Sequence, residues 1–226
     1  MNDLNQFAVF DMETHFSYRR AKMVEYLPTM PRESDARKVL GKSYKKEETI
    51  LKHLPERLRI MRKDYESKIK KHKVTPQLNN IKIVTIKTNE PKVYIWENEY
   101  DDPDKERQII EEVADLLLRT EEIITYNGSK FDFPILLYRG LALKAKCNYR
   151  ELLKGMSQYG KFNIDLCRYF TKSLDYNLKS IYGKGKRDID FDTCSFRELK
   201  TYAIEEINLL YRLGADILGY DSTAIF

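Results

Sequence analysis

Asn127-Gly128-Ser129-Lys130-Phe131-Asp132-Phe133-Pro134 decides how this chain is read, because it joins an apolar run at 123–126 to a helical pattern that begins at Phe133. Asn-Gly after a strand ordinarily signals a hairpin. No strand pattern follows here, so the segment is a strand-to-helix junction. Pro134 suits the first turn of that helix, where its missing N–H is no loss. Ser129 and Asp132 have the S-x-x-D spacing of a capping box, which makes Asp132 a candidate helix cap. Such a carboxylate can still turn one oxygen outward, so a cap and a ligand role are compatible.

Outward from the junction the chain has an α/β order. Residues 7–10 form a short apolar run that fits a doubly buried strand, 81–87 alternate as a half-buried strand, and 92–96 follow through the turn Asn89-Glu90-Pro91. A helical pattern covers 104–120, then the strand 123–126, the helix 133–144 and a short strand 162–166. A helix over 174–182 is stopped by Gly183, and a last long helix covers 197–218. Strands first paired by a turn and then alternating with helices predict a mixed sheet covered on both faces.

Residues 17–78 stand outside that alternation. Helical spacing over 47–54 and 55–71, with Pro55 suited to begin the second helix, predicts an inserted helical hairpin. It is basic: residues 41–73 hold twelve Lys/Arg against five Asp/Glu, a local +7, whereas the whole chain is +5 and the rest therefore −2. One basic segment on a nearly neutral body is what phosphate contact requires, and a solvated helical face explains it as well. The 226 residues, 42% hydrophobic and 33% charged, are otherwise expected to form a single domain. No secretory signal or membrane span is visible, so an intracellular, cytoplasmic location away from membranes is expected. Cys147, Cys167 and Cys194 are odd in number and lack C-x-x-C spacing, which disfavours disulfides and zinc.

Two further groups carry chemistry. Asp11 and Glu13, in Phe10-Asp11-Met12-Glu13-Thr14, are two apart at the end of the first strand and so share a face. Acids that close repel unless cations lie between them. In the last helix Leu199, Ala203, Ile207, Leu210, Gly214 and Ile217 form the predicted buried stripe; Glu206 falls within it, Tyr202 lies one turn earlier at its edge, and Glu205 points away. A carboxylate among apolar residues needs a partner, either a bound cation or a buried Lys or Arg.

Taken together, Asp11-Met12-Glu13-Thr14, Asn127-Gly128-x-x-Phe131-Asp132-x-Pro134 and Tyr202-x-x-x-Glu206 resemble the three motifs of the DnaQ-like (DEDD) 3′→5′ exonucleases, tyrosine branch, and most of all relatives of the proofreading domain of family B DNA polymerases. Asn163-Ile164-Asp165-Leu166 and Ser173 to Lys179 are similar to that family's fifth strand and following helix. The resemblance implies a ribonuclease H-like fold with a five-stranded mixed sheet. It implies two Mg²⁺ or Mn²⁺ ions, with Asp11 bridging them, Glu13 and Glu206 completing one site and Asp132 serving the other, and with Tyr202 orienting the attacking water. Thr14, Asn127 and Phe131 would contact the terminal nucleotide. The implied activity is phosphodiester hydrolysis at 3′ ends of single-stranded or frayed nucleic acid, DNA favoured over RNA, in the company of replication or repair proteins. One departure stands out: the family's third motif ordinarily ends in Asp, and here Glu206 is longer by a methylene. A catalytically weakened nucleic-acid-binding or partner-docking module of the same fold is the alternative. Lys184, Lys186 and Arg187, in a Gly-Lys-Gly-Lys-Arg loop, are candidate phosphate contacts or simply solvated.

Overall fold

A computed structural model describes residues 5–16, 30–73, 79–157, 163–191 and 193–219. The chain divides into two compact units, one formed by residues 1–15 with 80–226 and the other by 16–79.

The first unit is built on a five-stranded sheet of β1 (Asn5–Phe16), β2 (Asn79–Thr88), β3 (Val93–Glu97), β4 (Thr120–Thr125) and β5 (Asn163–Asp165) in the order β3-β2-β1-β4-β5. β2 and β3 pair antiparallel, whereas β1 with β4 and β4 with β5 pair parallel. The longer helices are α3 (Pro103–Leu118), α4 (Asp132–Leu143), α5 (Leu174–Tyr182) and α6 (Phe196–Leu218) in this unit, after α1 (Glu33–Ser43) and α2 (Glu47–Lys73) in the other. A mixed sheet in this order with helices on both faces is the ribonuclease H-like arrangement.

β1 shows how the sequence builds both layers. Its even positions Ala8, Phe10 and Met12 pack with Ile110 and Val113 of α3 and Phe133 and Leu136 of α4, while its odd positions Phe7 and Val9 pack with Leu178 of α5 and Ile207 and Leu210 of α6. Each fully buried large side chain contributes roughly 1.5–3 kcal/mol. Strand alternation then sends Asp11 and Glu13 to the α5–α6 face. The strand runs on to Phe16, so the two acids lie within β1 and not at its end.

Local signals fix the helix ends. Asp102 caps α3 by accepting from the N–H of Asp104 at 2.9 Å, with Pro103 in the first turn. Gly183 and Gly219 end α5 and α6 at φ +68° and +75°, a region glycine enters without penalty. Glu106 is buried, accepts from the Ile81 N–H at 3.0 Å and pairs with buried Arg139 at 2.6 Å, which fastens α3 to β2 and α4. A Cβ on Gly214 would meet Ile124 Cδ1 at 2.7 Å, so the missing side chain is what lets α6 lie close on β4.

β2 does not alternate between buried and open positions: residues 83–88 are all buried, Thr85 and Lys87 included, because β2 lies inside a sheet covered on both faces. The Lys87 amine rests 5.2 Å from the Tyr211 ring centre. On α6, Ile217 is exposed and Tyr202 is buried, so the buried face is rotated from the predicted stripe toward Tyr202. The expected start of the fifth strand at Phe162 lies outside the described residues.

In the second unit α1 is a helix the periodicity did not announce, and it packs on α2. Pro55 lies inside α2 and does not start a new helix. Proline forfeits one helical hydrogen bond, but Ile50 and Leu54 before it and Leu58 and Met61 after it pack with Ala36 and Leu40, and this continuous apolar seam holds the helix through the defect. Arg37 ties the pair by donating to Glu33 on α1 at 3.1 Å and to Glu47 on α2 at 2.7 Å. Lys52, Arg59, Arg62, Lys63 and Lys68 are exposed on α2. Of the inserted segment, residues 17–29 and 74–78 and the side chains of Lys70, Lys71 and Lys73 lie outside the described residues.

Candidate active site

The two acids of β1 meet the buried face of α6. Oxygens of Asp11, Glu13 and Glu206 all lie within 4.8 Å of one another. Glu206 is buried and Glu205, one residue earlier, is exposed beside Arg187 at 4.0 Å. The Oδ2 of Asp11 and the Oε2 of Glu206 are shielded from solvent and have no hydrogen-bond partner. Each such oxygen costs on the order of 1–3 kcal/mol or more if left unpaired.

The fourth acid enters from the junction. Asp132 is the first residue of α4, and Phe131 at the cap position makes no side-chain cap bond. The expected Ser129/Asp132 capping box is therefore absent: the Ser129 hydroxyl donates to Asp165 instead. Asp165 is the organiser of this loop, a role the sequence did not reveal. It stands at the end of β5 in register with Thr125 and accepts from the backbone N–H groups of Asn127 at 2.7 Å, Ser129 at 3.1 Å and Cys167 at 3.2 Å. Asn127 takes φ +68°, and a Cβ on Gly128 would lie 2.5 Å from Thr125 Cβ, so Asn-Gly is required for the chain to fold back over the strand end. That fold leaves the buried Asp132 carboxylate free of capping duty and beside Asp11, although it is not one of the three acids that converge.

Electrostatics follow from the crowding. Burial and then Glu206 push the Asp11 carboxyl up to about 7. Burial, then Asp11, hold Glu13 and Asp132 well above the usual carboxylate range. Burial, then Glu206 and Glu13, place the Tyr202 hydroxyl far above its usual value, so it stays protonated at any ordinary pH. Lys186 is the resident counter-charge: it ion-pairs with the Oε1 of Glu206 and lies 5.2 Å from the Tyr202 ring centre. Burial lowers its pKa, but Glu206 and Asp11 more than offset that and the net shift is upward. In sequence Lys186 stands among possible phosphate contacts. Its actual neighbour is a carboxylate of the acidic cluster, while Lys184 is simply exposed.

These groups lie in a cleft of about 640 Å³, whose walls also include Asn127 and Phe131. Thr14 is half-buried on β1 and does not line it. All three cysteines are free and half-buried, Cys167 at the cleft wall. Among the described residues no helix is long and apolar enough to cross a membrane.

The donor set fits hard divalent cations. All four acids offer oxygen, two of their oxygens are buried and unpartnered, and burial together with repulsion among the acids raises the pKa values of Asp11, Glu13 and Asp132, a shift that a bound cation would reverse.

Comparison with known proteins gives the family. A family described as predicted 3′-5′ exonucleases related to the exonuclease domain of PolB matches residues 71–196, more than half of the chain. The matched segment contains Asn127, Phe131 and Asp132, whereas Asp11, Glu13, Tyr202 and Glu206 lie outside it and reach the site through the fold. Among solved structures, the family B DNA polymerase of the hyperthermophilic archaeon Pyrobaculum calidifontis aligns at 20% identity and a TM-score of 0.49, over 63% of this chain and 22% of the polymerase chain. No curated protein matches the chain. From the extent of the family match, the chain belongs to the predicted 3′-5′ exonucleases related to the exonuclease domain of PolB.

Proposed function

We propose that the protein is a metal-dependent 3′→5′ exonuclease that hydrolyses phosphodiester bonds at single-stranded or frayed 3′ ends, DNA in preference to RNA. The observation that carries this is the convergence of Asp11, Glu13 and Glu206 with two buried, unpartnered oxygens in an accessible cleft. Asp11, Glu13 and Glu206, with Asp132 beside them, would hold two Mg²⁺ or Mn²⁺ ions. When bound, such ions supply an acidified water and offset charge on the leaving 3′ oxygen.

The chain's own residues do the rest. Tyr202 keeps its proton and so acts by orienting the water through a hydrogen bond, not by removing a proton. Phe131 presents an aromatic face to the terminal base and Asn127 a hydrogen-bonding group, a pairing that tolerates any base. Lys186 keeps a positive charge next to Glu206 and Asp11, where it tempers acid repulsion. Thr14, off the cleft wall, would act only by supporting β1. The basic segment within 17–78, an insertion in an otherwise single exonuclease-like domain, would track phosphates of the strand or dock on an acidic replication or repair protein.

A second reading draws on one specific observation. The Lys186 amine gives the Oε1 of Glu206 a counter-charge without a metal, which suits a nucleic-acid-binding module of weakened catalysis. The two separate on a 5′-labelled single-stranded oligonucleotide with Mg²⁺, Mn²⁺ or chelator. Metal-dependent shortening from the 3′ end, lost in Asp11→Ala, supports the exonuclease. Binding without shortening at any metal concentration supports the module.

A further inference from the structure

A second hollow, about 400 Å³, adjoins the acidic cleft and shares Tyr202, Lys186, Asp175 and Phe191 with it. Its remaining charged walls are Lys179, Arg187 and Asp188. We propose that this hollow is a subsite for the nucleotide adjoining the 3′-terminal one, with Phe191 stacking on its base and Arg187 and Lys179 meeting its phosphates. The inference rests on the exonuclease reading only for which nucleotide of the strand it names.

Phe191 is half exposed, at 50% of its surface, in the irregular stretch between α5 and α6. A lone exposed phenylalanine is ordinary. This one is set apart by its place, on the walls of both hollows and against Tyr202, whose ring it meets at 84° with centroids 5.2 Å apart. The contact holds one part of the ring at the junction while the rest stays open to a ligand. Stacking accepts every base, which suits a site that must pass successive nucleotides.

The charges beside it are loosely held. Arg187 reaches its acid, Glu205, only at 4.0 Å, and both side chains are nearly half exposed. Lys179 pairs with Asp175 at 2.8 Å on the surface. Exposed pairs of this kind are worth about 0–1 kcal/mol, so a phosphate can redirect either cation at little cost. Asp175 also accepts the Lys186 N–H at 2.8 Å, which occupies its second oxygen. Asp188 remains as an opposing charge. Stacking on Phe191, more than net charge, is therefore what this subsite contributes.

The test is equilibrium binding with Ca²⁺ in place of Mg²⁺, comparing a fluorescent single-stranded thymidine octamer with thymidine 5′-monophosphate as competitor. In Phe191→Ala the advantage of the octamer over the mononucleotide should fall by about 5- to 100-fold, the range expected for one stacked base. Phe191→Tyr should restore it. An octamer affinity within twofold of the parent would overturn the subsite. So would equal weakening of both ligands, which would make Phe191 a mere support for Tyr202. Because binding is measured without turnover, a chain that hydrolyses nothing yet shows the Phe191 dependence would refute the exonuclease activity and uphold the subsite.

Discussion

Replacing Asp11 by Asn should make the metal-free protein more stable at pH 8. The Asp11 carboxyl, ordinarily near 3.8, is pushed to about 7 by burial and by Glu206. An acid raised in this way binds more protons folded than unfolded between the two values, so its contribution to stability is full below about pH 4 and is lost as pH rises through 7. A gap of about three pH units corresponds to about 4 kcal/mol at 1.36 kcal/mol each, as an upper bound. Glu13 and Asp132 are raised with it, and coupled acids share the burden, so removing one charge recovers about 2–4 kcal/mol. For a chain of this size that is a rise in melting temperature of roughly 4–16 °C. Thermal melts in chelator at pH 8 and pH 4.5 measure it: the gain should be large at pH 8 and nearly vanish at pH 4.5, where the parent carboxyl is already protonated. Added Mg²⁺ should then stabilise the parent and not the variant. An Asp11→Asn variant that melts at or below the parent at pH 8 in chelator would mean that the Asp11 charge does not destabilise the metal-free fold.

Other expectations follow from neighbouring residues. Glu206→Gln should lower the rate on a single-stranded oligonucleotide by at least about 100-fold, the weight of one lost metal ligand, while Glu205→Gln, on the exposed side, stays within about twofold; equal losses would remove Glu206 from the site. Asp165→Asn weakens the bonds that fix the 127–129 loop, so it should cost about 2–4 kcal/mol in unfolding and also lower turnover, and a variant with parental stability would contradict the organising role. Pro55→Ala restores a donor inside α2 and should raise stability by about 1–3 kcal/mol in denaturant titration; a loss would mean the proline is accommodated without strain. A single strand should be degraded faster than its blunt duplex at one salt concentration, and a duplex preference would count against the cleft as a single-strand site.

Much of this site was legible because its signals are local. Alternation along β1 and the helical period of α6 are geometric, so the shared face of Asp11 and Glu13 and the burial of Glu206 beside exposed Glu205 follow from counting residues. Gly183 marks a helix end for a reason written in one residue. What was not legible depends on partners distant in sequence. Ser129 has cap spacing, but Asp165, 36 residues on, takes its hydroxyl. Lys186 reads as a loop cation until the fold brings Glu206 to it. Pro55 reads as a helix start until the seam with Ala36 and Leu40 carries α2 through it. The length of β1 past Glu13 was hidden because polar residues in an inner strand carry no apolar pattern.

If Asp11, Glu13, Glu206 and Asp132 form one divalent-metal site that serves hydrolysis, the metal-free chain must take up divalent ions there. Calorimetric titration of Mn²⁺ into the full chain at pH 7.5, for the parent, Asp11→Asn and Glu205→Gln, tests it most directly. The parent and Glu205→Gln should each bind about two ions per chain, with binding lost or reduced to a weak remnant in Asp11→Asn. Parent-like binding by Asp11→Asn, or no binding by the parent, would contradict the shared metal site.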